Sequence, residues 1–311
     1  MSSRLWKWAG VTAALCLATG AQAAAVVLDT GTIRMGVADN GGLGALGVGL
    51  VGPTGDAITP GCLCEGWGAS ANGASGYVYG LGQTGITSAL TTTTTASGPG
   101  LSAQSVVAMS NGLQITHTYS YGHNGLLFNI GVELKNVSGA TLNNVRYART
   151  LDWDVTPGYF GSNFTTTYGG SPTGPAGQIL HTSSNPFAVP DPMVFRGQEA
   201  DVNIVNSPGD KGSYWVFGFG SLADGATANF TTVIGATPTV ADLIAAFTAS
   251  GVGAYSYTTG NSTAGGDFAP AYGYGFVGLS LPPIGTVPEP GTLALLGVAA
   301  LGAMVRRRRA A

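Results

Sequence analysis

Asp152 and Asp154 stand two apart in VRYARTLDWDV, residues Val145 to Val155, an alternating stretch that reads as a strand. On a strand they share a face with Arg146 and sit about 7 Å apart. That arrangement suits a salt-bridged surface, a calcium ligand pair, or a carboxylate pair for glycoside hydrolysis. The surface ion pair is the expectation. Cys62 and Cys64, in GCLCEGWG, also stand two apart. Zinc would need a second close Cys or His pair, which is missing. A disulfide in an oxidising compartment and a plain thiol pair in a glycine-rich turn both stay open. Residues two apart on a strand lie near the limit of disulfide reach, so a bond needs a bend, which the flanking glycines permit.

Arg149 falls on the apolar face of the same stretch, with Val145, Tyr147, Leu151, Trp153 and Val155. An arginine there must snorkel to an edge or pair with a buried acid, and Glu65 and Glu133 are the candidate partners. His117 lies on an apolar strand face and reads as a core histidine. His123 sits in a turn, and His181 has no matching carboxylate or cysteine nearby in sequence. No Gly-x-Ser-x-Gly elbow, phosphate loop or dinucleotide fingerprint appears. No catalytic, cofactor-binding or metal residue is therefore assigned, no cofactor is expected, and the chain is expected not to be an enzyme.

The elements that must position these residues are strands. Leu113 to Tyr121 and Leu126 to Lys135 alternate strictly, and Gly122-His123-Asn124-Gly125 between them is a turn by composition, so the pair predicts a hairpin. Further strands are expected near Tyr214 to Phe219, Asn229 to Ile234, Tyr255 to Thr258 and Tyr272 to Leu281. The proline-rich region from Ser162 to Asp201 reads as an extended loop or edge segments. The Thr91 to Thr95 run reads as a solvated strand or loop. One helix is predicted, because Val240, Leu243, Ile244 and Phe247 recur at helical spacing after Thr237 and Pro238, with Thr237 as the cap and Gly251 as the stop. The fold class is all-β: a large antiparallel β-sandwich with one short helix. It is flanked by an N-terminal signal-peptide helix and a C-terminal single transmembrane helix.

Both ends of the chain carry topogenic patterns. Arg4 and Lys7 precede an apolar stretch from Ala9 to Ala18, and Ala21-Gln22-Ala23 supplies small residues at a cleavage position, which is a secretory signal peptide over residues 1–23. Leu15 before Cys16 is too large for a lipoprotein site. At the other end, Val287-Pro288-Glu289-Pro290 is followed by fifteen uncharged residues, Gly291 to Val305, and then by Arg306, Arg307, Arg308 and Arg309. Four arginines after an apolar span stay in the cytoplasm. The span covers about 22 Å as a helix, short for a permanent anchor.

Pro288-Glu289-Pro290, the short span and the arginine cluster together resemble the PEP-CTERM sorting signal of Gram-negative bacteria. The resemblance implies that a membrane-embedded exosortase recognises Pro288, Glu289 and Pro290, cuts near them, and releases or transfers the ectodomain toward the cell surface, often in company with exopolysaccharide and biofilm matrix. The implied division is a signal peptide (1–23), an ectodomain (24–285) and a sorting tail (286–311). The implied route is the inner membrane with a periplasmic body, then the cell surface or matrix. GVADNGGLG, GCLCEGWG and VRYARTLDWDV also resemble a body type that recurs among such cargo, which carries no activity with it.

Between Ala24 and Pro288, six lysines and arginines stand against fourteen aspartates and glutamates, a net −8. Nucleic-acid binding needs clustered cations, so it is excluded as a partner. A charge-poor surface rich in Gly, Thr, Ser and Asn suits neutral polymer. The expected role is structural or interactive, the alternative being a carbohydrate-binding or carbohydrate-active β-sandwich module.

Overall fold

A computed structural model describes residues 25–161, 163–170, 176–195, 203–260 and 269–279. The signal peptide and the sorting tail lie outside the described residues. Among those described, no helix is long and apolar enough to cross a membrane.

The chain begins with a small antiparallel sheet of β1 (Val26–Asp29), β2 (Arg34–Val37), β3 (Leu50–Gly52) and β4 (Gly55–Asp56). Two larger sheets follow. β5 (Gly66–Ala71), β6 (Ala74–Tyr79) and β7 (Gly82–Thr84) meander into one; β8 (Ile86–Thr95), β9 (Ser102–Met109), β10 (Leu113–Tyr121) and β11 (Leu127–Asn136) meander into the other. The chain then alternates. β12 (Leu142–Asp152), β14 (Ala176–Ser183) and β16 (Gly212–Leu222) return to the first sheet, while β13 (Asn163–Tyr168), β15 (Ser207–Gly209) and β17 (Thr227–Thr237) join the second. After helix α1 (Val240–Ala249), β18 (Ala254–Thr259) and β19 (Ala271–Val277) complete it.

The result is a six-stranded sheet, in the order β14-β16-β12-β5-β6-β7, and a nine-stranded sheet, in the order β15-β13-β18-β19-β17-β11-β10-β9-β8. Every pairing between these strands is antiparallel. The two sheets face each other across one core. Trp215 and Phe217 of β16 meet Phe276 of β19 at ring separations of 4.8 and 4.7 Å, and Tyr147 of β12 meets Phe230 of β17 at 5.3 Å. Period-two alternation explains which side chains reach this core. In β19, Tyr272, Tyr274 and Phe276 point inward, while Ala271, Gly273 and Gly275 leave the outer face flat.

That flat strip is where α1 lies. Leu243, Ala246 and Phe247 pack on Leu127, Val233 and Tyr255, making a second core on the outside of the nine-stranded sheet. A Cβ on Gly273 would stand 2.7 Å from both Leu243 Cδ2 and Phe247 Cζ. The helix starts later than predicted. Thr239, not Thr237, is its cap: its hydroxyl accepts from the Asp242 N–H at 3.0 Å and donates to Asp242 Oδ2 at 2.7 Å. Thr237 instead ends β17 and donates to the Thr239 carbonyl. Gly251, with φ of +71°, follows the last turn as predicted.

Among its described residues, the region from Ser162 to Asp201 holds strands as well as loop, an edge segment among them as expected. It contributes β13 and β14, the latter an edge strand, and the segment after β14 runs over the outer face of the six-stranded sheet. A Cβ on Gly68 of β5 would strike the Pro190 carbonyl, so the roof sits directly on that sheet. The Thr91 to Thr95 run is the end of the edge strand β8. Thr91 is buried, and Thr92 to Thr95 are exposed.

Candidate functional site

Three places in the sandwich concentrate polar chemistry. The first is the lead-in to β5, where Cys62 and Cys64 form a disulfide with Cα atoms 5.2 Å apart. Gly61, with φ of +74°, provides the bend that a bond between such close neighbours requires, and Phe160 packs against it. Cys62 Sγ lies 3.7 Å from Asp152 Oδ2. An oxidised sulfur has no proton to donate, so this contact does nothing to satisfy the carboxylate.

Beside the disulfide lies an acidic cluster. Asp152 and Asp154 are joined by Asp210, and one carboxylate oxygen from each lies within 4.8 Å of the others. The expected surface ion pair with Arg146 is not what forms. Asp152 is 2% and Asp154 0% exposed: the segment after β14 covers this end of β12, and a Cβ on Gly212, the ladder partner of Asp152, would stand 2.7 Å from the Pro186 Cα. The Asp154 N–H donates to the Ala57 carbonyl and the Trp153 N–H to the Lys211 carbonyl. Arg146, on the outer face, instead stacks over Phe195 at 5.4 Å and donates to the Pro192 carbonyl.

Burial, then the charges of Asp154 and Asp210, push the Asp152 carboxyl up to about 8. Burial and Asp210 push Asp154 up to about 7, and burial raises Asp210. Asp210 was not legible as a member of this group. It comes from the turn between β15 and β16, and only the sheet topology brings that turn to the end of β12.

The second place is the middle of the core. Arg149 Nη2 donates to Glu65 Oε1 at 2.5 Å, with both side chains fully buried. The other carboxylate oxygen accepts the Leu43 N–H at 2.6 Å. Burial pushes the Glu65 carboxyl up, and Arg149 and the Leu43 N–H pull it back. An arginine keeps its proton at any accessible pH, and its charge beside Glu65 favours the carboxylate form. Glu133, the other candidate partner, lies on the outer face of β11 in an open groove. Alongside, His117 Nε2 meets the Tyr147 hydroxyl at 2.9 Å, and the His117 ring stands edge-on to Trp67 at 4.8 Å. Burial and then the nearby Arg149 charge hold the His117 imidazole well below its usual value. Burial pushes the Tyr147 phenol up to about 12. His117 is thus a neutral core residue.

The third place is outside, on the part of the nine-stranded sheet that α1 leaves uncovered. A groove of about 500 Å³ is lined by Gln104, Thr116, Thr118, Glu133, Asn229 and Thr231. A second hollow of about 650 Å³ shares Thr118, Gly131 and Thr231 with it and continues to His123 and the last turn of α1. Hydroxyls and amides share this face with apolar groups, among them Val132, Phe230 and Val277. Trp67, Trp153 and Trp215, with Tyr119, Tyr147, Tyr214, Tyr272 and Tyr274, are all buried.

The fold is thus that of an antiparallel β-sandwich with a disulfide between Cys62 and Cys64. Residues 286–309 match the family model described as the PEP-CTERM protein-sorting motif, so the chain carries that motif, which implies export and surface or membrane association. The match covers Pro288, Glu289 and Pro290, the span Gly291 to Val305 and Arg306 to Arg309, all outside the described residues. No curated protein matches the chain.

Proposed function

We propose that the protein is cell-surface or extracellular-matrix cargo of an exosortase, held first in the inner membrane by its tail, then cut near Pro288-Glu289-Pro290. The body acts there in a structural or interaction role, not as an enzyme, in company with exopolysaccharide. The sorting motif at residues 286–309 carries this reading. The Cys62–Cys64 disulfide agrees with an oxidising destination. Comparing intact mass and membrane fractionation for wild type and Glu289→Ala in the native host tests it. Loss of the tail and departure from the membrane in wild type, with retention of both in the variant, is the expected result. Tail-retaining products in both would mean a plain anchor.

A carbohydrate-binding body is the second reading, and the hydroxyl- and amide-lined groove on the nine-stranded sheet is what favours it. Sugar platforms rely on exposed aromatic faces, whereas the three tryptophans of the body are buried and Tyr121, half-buried, is the one tyrosine lining the hollow beside the groove. That contrast supports the structural role over the lectin-like one. Retention on host exopolysaccharide that Thr118→Arg abolishes would reverse the preference.

A further inference from the structure

We propose that Asp152, Asp154 and Asp210 bind one calcium-class divalent cation beside the Cys62–Cys64 disulfide. The inference is independent of the sorting reading. A hard cation of this kind takes oxygen ligands at about 2.3–2.6 Å, so oxygens on opposite sides of it stand up to about 5 Å apart. The three carboxylates offer oxygens that all lie within 4.8 Å of one another, which is the spacing one ion would need.

Among the described residues, four of the six carboxyl oxygens also have no hydrogen-bond partner. Asp152 Oδ1, both carboxyl oxygens of Asp154, and Asp210 Oδ1 are buried without a hydrogen-bond partner among the described residues. Buried carboxylates in that state are costly unless a proton or a cation answers their charge. Among the described residues no lysine or arginine makes an ion pair with any of the three. Lys211, next in sequence, is engaged through its carbonyl, which accepts from Trp153.

A neutral oxygen from a different strand stands in the same corner. Asn163 is fully buried, and its amide donates to the Trp153 carbonyl, between the two aspartates. It pairs across the ladder with Gly209, the residue before Asp210, and its Oδ1 has no partner. Two aspartates from the end of β12 and a third from the β15–β16 turn thus converge, and the Asn163 amide of β13 borders them at the Trp153 carbonyl. Several carboxylate oxygens offered together favour calcium over magnesium, which demands near-octahedral geometry and is usually bound through one or two carboxylates while keeping its waters. The raised carboxyl values of Asp152 and Asp154 describe the same site when protons must do what the cation does.

Trp153 provides a reporter, because it lies between two of the ligands and can sensitise a bound terbium ion. The experiment uses the full chain, freed of metal with a chelator and held at a pH of about 8, where Asp152 is near its midpoint. Terbium luminescence excited through tryptophan should saturate at one ion per chain and be displaced by calcium. Calcium about 100-fold above its Kd should raise Tm by roughly 5 °C or more. Asp154→Asn should abolish both responses while leaving the metal-free protein at least as stable as wild type, since it removes a repelling charge. Asp210→Asn serves as a second variant should the first fail to fold. An unchanged Tm with no saturable luminescence in wild type overturns the proposal, as does an Asp154→Asn protein that still responds. So does a site that takes only zinc, and only after reduction, because the ligands would then be Cys62 and Cys64.

Discussion

The guanidinium of Arg149 and the carboxylate of Glu65 meet at 2.5 Å in the centre of the sandwich, with neither exposed to solvent. The pair joins β12 to the chain entering β5, and the backbone N–H of Leu43 anchors the far side of the carboxylate. Removing one partner leaves an unanswered charge in a dry core. Arg149→Ala and Glu65→Ala should each cost about 3–5 kcal/mol in urea unfolding, whereas Arg149→Met with Glu65→Leu should cost far less than the sum of the singles. Strictly additive losses would show that the two side chains do not act as a pair.

The buried His117 predicts an acid sensitivity. Its folded value is held well below 6.5, so between those two values the unfolded chain binds a proton that the folded chain refuses. Stability therefore falls as pH drops below about 6.5, by at most about 1.4 kcal/mol per pH unit from this residue. His117→Gln removes the titrating group. The difference in unfolding free energy between wild type and variant should change with pH below about 6.5 and be flat above it, as measured by urea unfolding across that range.

How far these features were legible depended on whether the information was local. The alternation from Leu113 to Tyr121 gave β10 its bounds, because one face is core and the other solvent. An arginine among Tyr147 and Leu151 announced a buried acid, but the choice of Glu65 over Glu133 rests on the pairing of β12 with β5, which no local pattern encodes. Asp152 and Asp154 were misplaced at the surface because the outer face of β12 was taken to meet solvent, whereas the segment after β14, from farther along the chain, covers it. Thr239 and Asp242 spell a capping signature three residues apart, while Pro238 drew the predicted helix start two residues early.

The seat of α1 depends on the absence of a side chain at Gly273. Gly273→Val would place its first carbon 2.7 Å from Leu243 and Phe247, forcing the helix outward or its residues off their rotamers. A loss of about 1–3 kcal/mol is expected. Leu243→Ala in the same background should cost less than it does in wild type, because it clears the space the valine needs. Thermal unfolding of the four proteins measures this coupling, and simple additivity would mean that the helix does not press on that strip.

The disulfide should matter less than the ion pair that follows it in sequence. It closes a loop with a sequence separation of only 2, so it restricts the unfolded chain little, by about 1.5 kcal/mol on chain-entropy grounds. Reduction also returns a proton to Cys62, whose sulfur then can donate to Asp152 Oδ2 and relieve part of that carboxylate's isolation. A reductant should therefore shift the urea midpoint less than Arg149→Ala does, and Cys62→Ser with Cys64→Ser should behave like the reduced protein. Cys64 is bonded directly to Glu65, however. A loss on reduction as large as that of Arg149→Ala, and no further loss when the two are combined, would show that the disulfide holds the glutamate in place.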